Sequence, residues 1–270
     1  METDQQKIGI LDQFILAVFR PKEYKKLILL KTGKIVLYTL LMALILTVMS
    51  YIIPIAGWLL SYHGFEGFIE KQLPEFTLEN GQLNMESDIA IKQSGVSQII
   101  VDTSKDKMSK KDLEEGYVQQ VLVSKNNMII SSMTTTSEIE FKKLKDVHFS
   151  KASLSKLVPI LYISLAIVVG MEFIVILLEY IFSAFIYGLI AMFYTSMEGK
   201  NISLGDAVKA AIYAKTLAAV FGAFNTVMGS FIPSSIWSFL SMFITMLLLL
   251  LGIRSDDKED PKNFLSDKIF

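Results

Sequence analysis

Cysteine is missing from all 270 residues, which excludes a disulfide framework, a thiolate metal site and a cysteine nucleophile. Histidine is almost as scarce. His63 and His148 are the two imidazoles of the chain, too few for a zinc site without other ligands beside them. An excess of one charge is lacking too: the net charge is −1 and charged residues make up 20%, which excludes a basic chain that coats nucleic acid. The phosphate-cradling, metalloprotease and nucleophile-elbow patterns, G-x-x-x-x-G-K-[ST], G-x-G-x-x-G, H-E-x-x-H and G-x-S-x-G, do not occur. The expectation is a protein without catalytic residue, cofactor or metal, and so a non-enzymatic one.

What the chain has in excess is uninterrupted apolar sequence. Hydrophobic residues reach 52% and the mean hydropathy is +0.46. A bilayer core of about 30 Å needs about 20 helical residues. Residues 35–60 read IVLYTLLMALILTVMSYIIPIAGWLL, without a charge, and predict a first membrane helix. Pro54 and Gly57 are expected to kink or end it, with Tyr51, Trp58 and Tyr62 suited to an interfacial aromatic belt. Residues 157–253 predict a helical bundle. Its first block, 157–197, is apolar except for Glu172, Glu179 and scattered hydroxyls; 207–229 is rich in small residues, and 231–253 closes in MLLLLLG before a charged tail, 254–270. Block 157–197 is long for one crossing and short for two. Four spans are the preferred reading and five the alternative.

Lysine and arginine crowd residues 20–34, and Lys200, Lys209 and Lys215 flank the connection before the third span. By the positive-inside rule the N-terminus, this connection and the tail are cytoplasmic, in a plasma membrane, and residues 61–156 are extracytoplasmic. Within the N-terminal segment 1–34, Ile8, Leu11, Ile15 and Val18 recur at helical spacing. They predict an amphipathic helix lying either on the inner leaflet or on the protein's own cytoplasmic loop.

Residues 61–156 alternate apolar and polar residues between turns: FTLE and QLNM around Asn80-Gly81, then DIAIK, QIIVD, YVQQVLV, NMIISS and SEIEF. Asn-Gly tolerates the positive φ of a type I′ turn, so a hairpin is expected there. SKKDLEEG, 109–116, predicts a short exposed helix, and Asp102 before Thr103-Ser104 a turn cap. The fold class is therefore an α-helical polytopic membrane protein with an inserted small β-rich α+β domain held by short tethers.

The intramembrane polar groups are the functional candidates. A carboxylate in hydrocarbon is costly and needs a partner or a role. Glu172 and Glu179 stand two turns apart; the expectation pairs Glu179 with Lys215, and Glu172 with Asn225 or Ser241. Their roles are a proton or cation path on one reading and an interhelical anchor on the other. Ala210, Ala214, Ala218 and Gly222 form a small-residue stripe for close helix packing, within the chain or with a second copy.

FRPKEYKKLILLKTGKIVLY, LPEFTLENGQL, IIVDTS and SLGDAVKAAIYAKTL together resemble an uncharacterised multispanning family of Gram-positive bacteria, of which some members carry the label maltodextrin-utilisation protein MalA. That family is distantly similar to Yip-type membrane proteins. The resemblance spans nearly the whole chain and implies an accessory or regulatory role in maltodextrin uptake, but no active site. The partners expected are the bilayer and either transporter subunits or an extracytoplasmic ligand, with a homo-oligomer as a further option and no nucleic acid.

Overall fold

The computed structural model describes residues 8–93, 96–132 and 135–254, apart from the side chain of Gln93. The expected tail lies outside them beyond Arg254. In chain order the first helices are α1 (Ile10–Phe19), α2 (Tyr24–Ile28), α3 (Thr32–Thr47), α4 (Ile53–Tyr62) and α5 (Gly64–Gln72). After eight strands come α6 (Lys151–Lys156), α7 (Val158–Met197), α8 (Leu204–Val227) and α9 (Ser234–Arg254). The chain forms two compact units, Met1–Gly57 with Ala166–Phe270, and Trp58–Leu165.

Four helical stretches of the described residues are long and apolar enough to cross a membrane: Thr32–Tyr62, Val158–Met197, Leu204–Val227 and Ser234–Arg254. The five-span alternative is corrected by α7, which runs unbroken for 40 residues, about 60 Å at 1.5 Å per residue. Pro54 does not end the first span. It lacks an N–H and its ring crowds the carbonyl four residues back, and the chain absorbs both through a π turn, Val48–Ile52, before continuing as α4.

In the helical unit α8 is the hub, in contact with α1, α2, α3, the π turn and α9. It starts where Ser203 caps it, accepting the Asp206 N–H at 3.1 Å; an acid in the first turn also suits the helix dipole. Its core carries tyrosine hydroxyls, each with a partner, as burial of a polar group demands. Tyr38 meets Thr216 at 2.7 Å, Tyr180 donates to the Ile212 carbonyl at 2.7 Å, and Tyr24 to the Ala17 carbonyl at 2.7 Å. Tyr213 reaches the buried side chain of Gln13 at 2.8 Å. Helix α1 thus rests by one face on α8, a membrane-length helix and not the cytoplasmic loop of the expectation, and its other face stays open.

The β-rich unit contains β1 (Phe76–Glu79), β2 (Gln82–Met85), β3 (Ile89–Gln93), β4 (Ser97–Asp102), β5 (Gln119–Ser124), β6 (Asn127–Ser132), β7 (Thr136–Glu140) and β8 (Phe149–Ser150). They form two sheets, ordered β2-β1-β8 and β3-β4-β5-β6-β7. All neighbours are antiparallel except β4 and β5, which pair in parallel from Ser97↔Gln119 to Asp102↔Ser124. A parallel pair requires a long crossover, here residues 103–118, which covers one face of the larger sheet through Met108, Leu113, Leu122 and Ile129. On the other face, Val101, Val123 and Met128 share a core with Leu78, Leu83 and Phe141.

Two local expectations are revised. SKKDLEEG forms only a 3₁₀ turn, Lys110–Asp112, because Leu113 is drawn into the crossover core and the Glu114 backbone is clamped by Gln120, which accepts its N–H at 3.0 Å and donates to its carbonyl at 2.8 Å. The chain after His63 is no short tether: His63 and Gly64 take positive φ values of 58° and 84° and open α5. Trp58, Tyr62, Phe65, Phe68 and Tyr162 gather there with ring centroids 5.0–5.6 Å apart. Two members of the expected aromatic belt are in this cluster. Tyr51 is not in it, and faces Glu172 instead.

The β1–β2 hairpin turns at Asn80 and Gly81, with φ of 54° and 74°. A Cβ on Gly81 would come within 2.8 Å of the Lys142 Cα. Gly81→Val combines that clash with a positive φ that costs a branched residue about 1–2 kcal/mol. A lower unfolding temperature of the β-rich unit is expected, read by circular dichroism against wild type.

Candidate functional site

A cavity of about 420 Å³ lies inside the helical unit, between the π turn, α7, α8 and α9. Its lining is polar for a site among apolar helices: Glu179, Ser183, Lys215, Ser241, Thr245 and the Trp237 indole all border it. The Lys215 ammonium donates to the Ser183 hydroxyl and, at 3.2 Å, to the Tyr180 carbonyl, and sits 4.5 Å from the Tyr180 ring centroid. Ser183 in turn donates to the Glu179 carbonyl. The expected ion pair between Glu179 and Lys215 is therefore corrected. Both border one cavity, yet the lysine is taken by a hydroxyl, a carbonyl and a ring face, which the α7 turn after Glu179 presents towards α8.

The expected partners of Glu172 are corrected as well. The Asn225 amide is spent on the turn between α8 and α9, donating to the Ile232 carbonyl at 3.0 Å and accepting its N–H at 3.0 Å. Ser241 borders the cavity with Glu179, whereas Glu172 has the Tyr51 phenol beside it and is absent from the lining. The small-residue stripe turns into the unit itself. Ala210 and Ala214 are fully buried, Ala218 nearly so, and a Cβ on Gly222 would meet the Trp237 indole nitrogen at 2.6 Å. Close approach of α9 explains the glycine.

In the β-rich unit Asp102 accepts from the Ser104 hydroxyl and, at 3.0 Å, from its N–H; the hydroxyl bond above all holds the carboxyl below the usual range. The residue closes a turn. His148 pairs with Glu79 at 2.6 Å, and no three His, Asp or Glu side chains of the described residues gather as metal ligands.

One feature escaped the sequence reading. Ile91, Ile99, Val121 and Ile130 are direct cross-strand neighbours on β3, β4, β5 and β6. They form a row on the face opposite the crossover, with Ile91 51%, Ile99 38% and Ile130 42% exposed. β-branched side chains in register make a continuous apolar strip. The signal was present in QIIVD and NMIISS, whose consecutive apolar residues leave both faces of the sheet apolar.

Along its most apolar stretch α7 has no buried residue, whereas Tyr180, Ala184 and Ala191 of the same helix enter the core. Water does not tolerate so large an apolar surface. Four membrane-length apolar helices, one of them bare along a long apolar stretch, with a β-rich insert, define the class: a helical protein of membrane type with an inserted two-sheet unit. The chain belongs to the family described as Protein of unknown function (DUF1189), whose model matches residues 11–253. No curated protein and no solved structure matches it.

Proposed function

We propose that this is a non-enzymatic multi-pass protein of a Gram-positive plasma membrane, with N-terminus inside and residues 61–156 outside. In this reading it is an accessory or regulatory component of maltodextrin uptake, and the β-rich unit is its partner-binding domain. The observation that carries the binding role is the open row Ile91–Ile99–Val121–Ile130. The carbohydrate link rests on the sequence resemblance to proteins labelled MalA, and Yip-type similarity bears on the spans alone. Purification from native membranes in mild detergent is expected to bring sugar-transporter subunits with the chain. Their consistent absence removes the accessory role. The exposed Lys110 is expected to react with a membrane-impermeant amine reagent on intact cells; protection until lysis would invert the orientation.

A second reading, a small transporter or channel, is favoured by the polar cavity beside Glu179 and Lys215. Glu179→Gln, in the lining of that cavity, separates the two. Glutamine keeps the size and polarity of the side chain but carries no titratable proton. On the accessory reading, a strain lacking the protein regains maltodextrin uptake to within about twofold with this variant. Failure to restore uptake, with normal protein abundance, favours transport.

A further inference from the structure

Helix α1 has two unlike faces. Its inner face is pinned to the helical unit by the Tyr213–Gln13 hydrogen bond and by Tyr24 on the Ala17 carbonyl. Its outer face carries Leu11, Ile15 and Phe19, one turn apart each, with Leu11 72% and Phe19 73% exposed. The inner contacts leave the helix little freedom to turn that stripe away from solvent. Downstream, Arg20, Lys22, Lys25, Lys26, Lys31 and Lys34 outnumber the one acid between α1 and α3, Glu23, which pairs with Arg20 at 3.4 Å and Lys26 at 2.7 Å.

A second cavity, of about 230 Å³, opens at this end of the helical unit. Lys25, Lys200 and Asn201 line its polar side, and Leu29 and Ile253 its apolar side. Asp206 also borders it, but that carboxylate is held by Lys209 at 3.1 Å and the Ser203 hydroxyl at 2.8 Å. We propose that α1 and this cavity together bind anionic phospholipid: the Leu11–Ile15–Phe19 stripe enters the acyl boundary, and the lysine-lined cavity takes a phosphate headgroup.

Three observations choose lipid over a second copy of the chain. Only twelve residues separate the end of the stripe, Phe19, from the first membrane-length helix at Thr32, so it stays at a bilayer surface. The adjoining charge is strongly positive, six cations against Glu23 alone, which attracts an anionic leaflet and repels its own duplicate. The cavity sets cationic and apolar walls side by side, matching a phospholipid where headgroup meets chain. The inference rests on the membrane reading above.

The missing cysteines make the test clean, since one introduced thiol is the only thiol. The full chain is placed in nanodiscs with a bimane label at Phe19→Cys, at Phe182→Cys on the open face of α7, or at Lys110→Cys in the β-rich unit. Quenching by nitroxide phosphatidylglycerol is compared with quenching by nitroxide phosphatidylcholine. Phe182 and Phe19 labels are expected to be quenched and the Lys110 label not. Only the Phe19 label should prefer phosphatidylglycerol, by about fivefold or more, because each interfacial lysine contributes roughly that factor. Lys25→Gln with Lys26→Gln should erase most of the preference, and inorganic phosphate at matched ionic strength should not.

If Phe182 is quenched and Phe19 is not, this inference falls while the membrane reading stands. If neither is quenched, both fall. Equal quenching of Phe19 by the two lipids overturns the anionic-lipid site, and loss of preference on adding phosphate reassigns it to a free anion. Label-to-label excimers that grow with protein density would assign the stripe to a second copy.

Discussion

The double variant Ile99→Asp, Ile130→Asp is expected to fold as wild type does and to lose its partner. Both side chains stand open on the five-stranded sheet, and their exposed surface takes no part in the cores beneath either face. In the free protein two exposed aspartates therefore cost little. In a complex the row would be covered, and each isoleucine, about two-fifths exposed, contributes about 1 kcal/mol of apolar burial. Losing both, with two carboxylates to desolvate, weakens association by a hundredfold or more, at about 1.4 kcal/mol per factor of ten. The measurement is recovery of transporter subunits in the mild-detergent purification. Undiminished recovery with both substitutions in place would separate the row from the partner.

The second large effect is on stability. Asn127→Leu is expected to unseat the crossover between β4 and β5. The Asn127 side chain is fully buried. It accepts the Met108 N–H at 3.0 Å, donates to the Met108 carbonyl at 2.8 Å and to Glu138 at 2.9 Å, and accepts from Ser124. Leucine preserves the shape and removes every bond. The two Met108 backbone groups are then buried without partners, at about 1–3 kcal/mol each. Hydrogen exchange over residues 103–118 in the full chain should accelerate by roughly thirtyfold or more. Unchanged exchange there would mean that the crossover is held by its apolar contacts, Met108 on Leu122 and Ile129, alone.

Around this asparagine the acids and lysines form a surface lattice: Lys107 bridges Glu138 at 2.9 Å and Glu140 at 3.0 Å, while Lys92 meets Glu114 at 2.7 Å. The lysine bonds hold these three carboxyls below the ordinary range. Such exposed pairs are weak individually. Gln98 poses a different question: fully buried beneath them, its amide nitrogen and oxygen both lack a hydrogen bond within 3.5 Å, although the Glu114 carboxyl lies near enough to be affected by it. An amide merely beside a carboxyl is not satisfied by it.

Much of the architecture was legible from residue order. The apolar runs marked the four long helices, and period-two patterning located seven strands to within about two residues. Asn80-Gly81 marked the hairpin, since it takes the positive φ that the turn requires. The sites were less legible. Glu179 and Lys215 were singled out as a pair, and they do share a cavity, but Lys215 turned to Ser183 and Tyr180. Asn225 is an expected partner of Glu172, and its amide instead closes the backbone turn to Ile232, seven positions on. Helix α5 left little trace, because GFEGFIEKQ contains two glycines and its aromatic contacts lie with Trp58 and Tyr162.

What the sequence determined alone are properties that one segment settles within itself. Whether about 20 residues can cross a bilayer is a sum of transfer free energies along that segment, and whether a turn forms at residues 80–81 is a matter of two φ angles. Tertiary structure decided everything that depends on which faces meet. Successive residues of a helix point about 100° apart, so the choice between Ser183 and Glu179 as partner for Lys215 rests on how α7 is rotated against α8. The parallel pairing of β4 with β5 likewise depends on a crossover whose anchor, Asn127, lies beyond both strands in the chain. Local physics made the pieces, and long-range packing assigned their polar groups to one another.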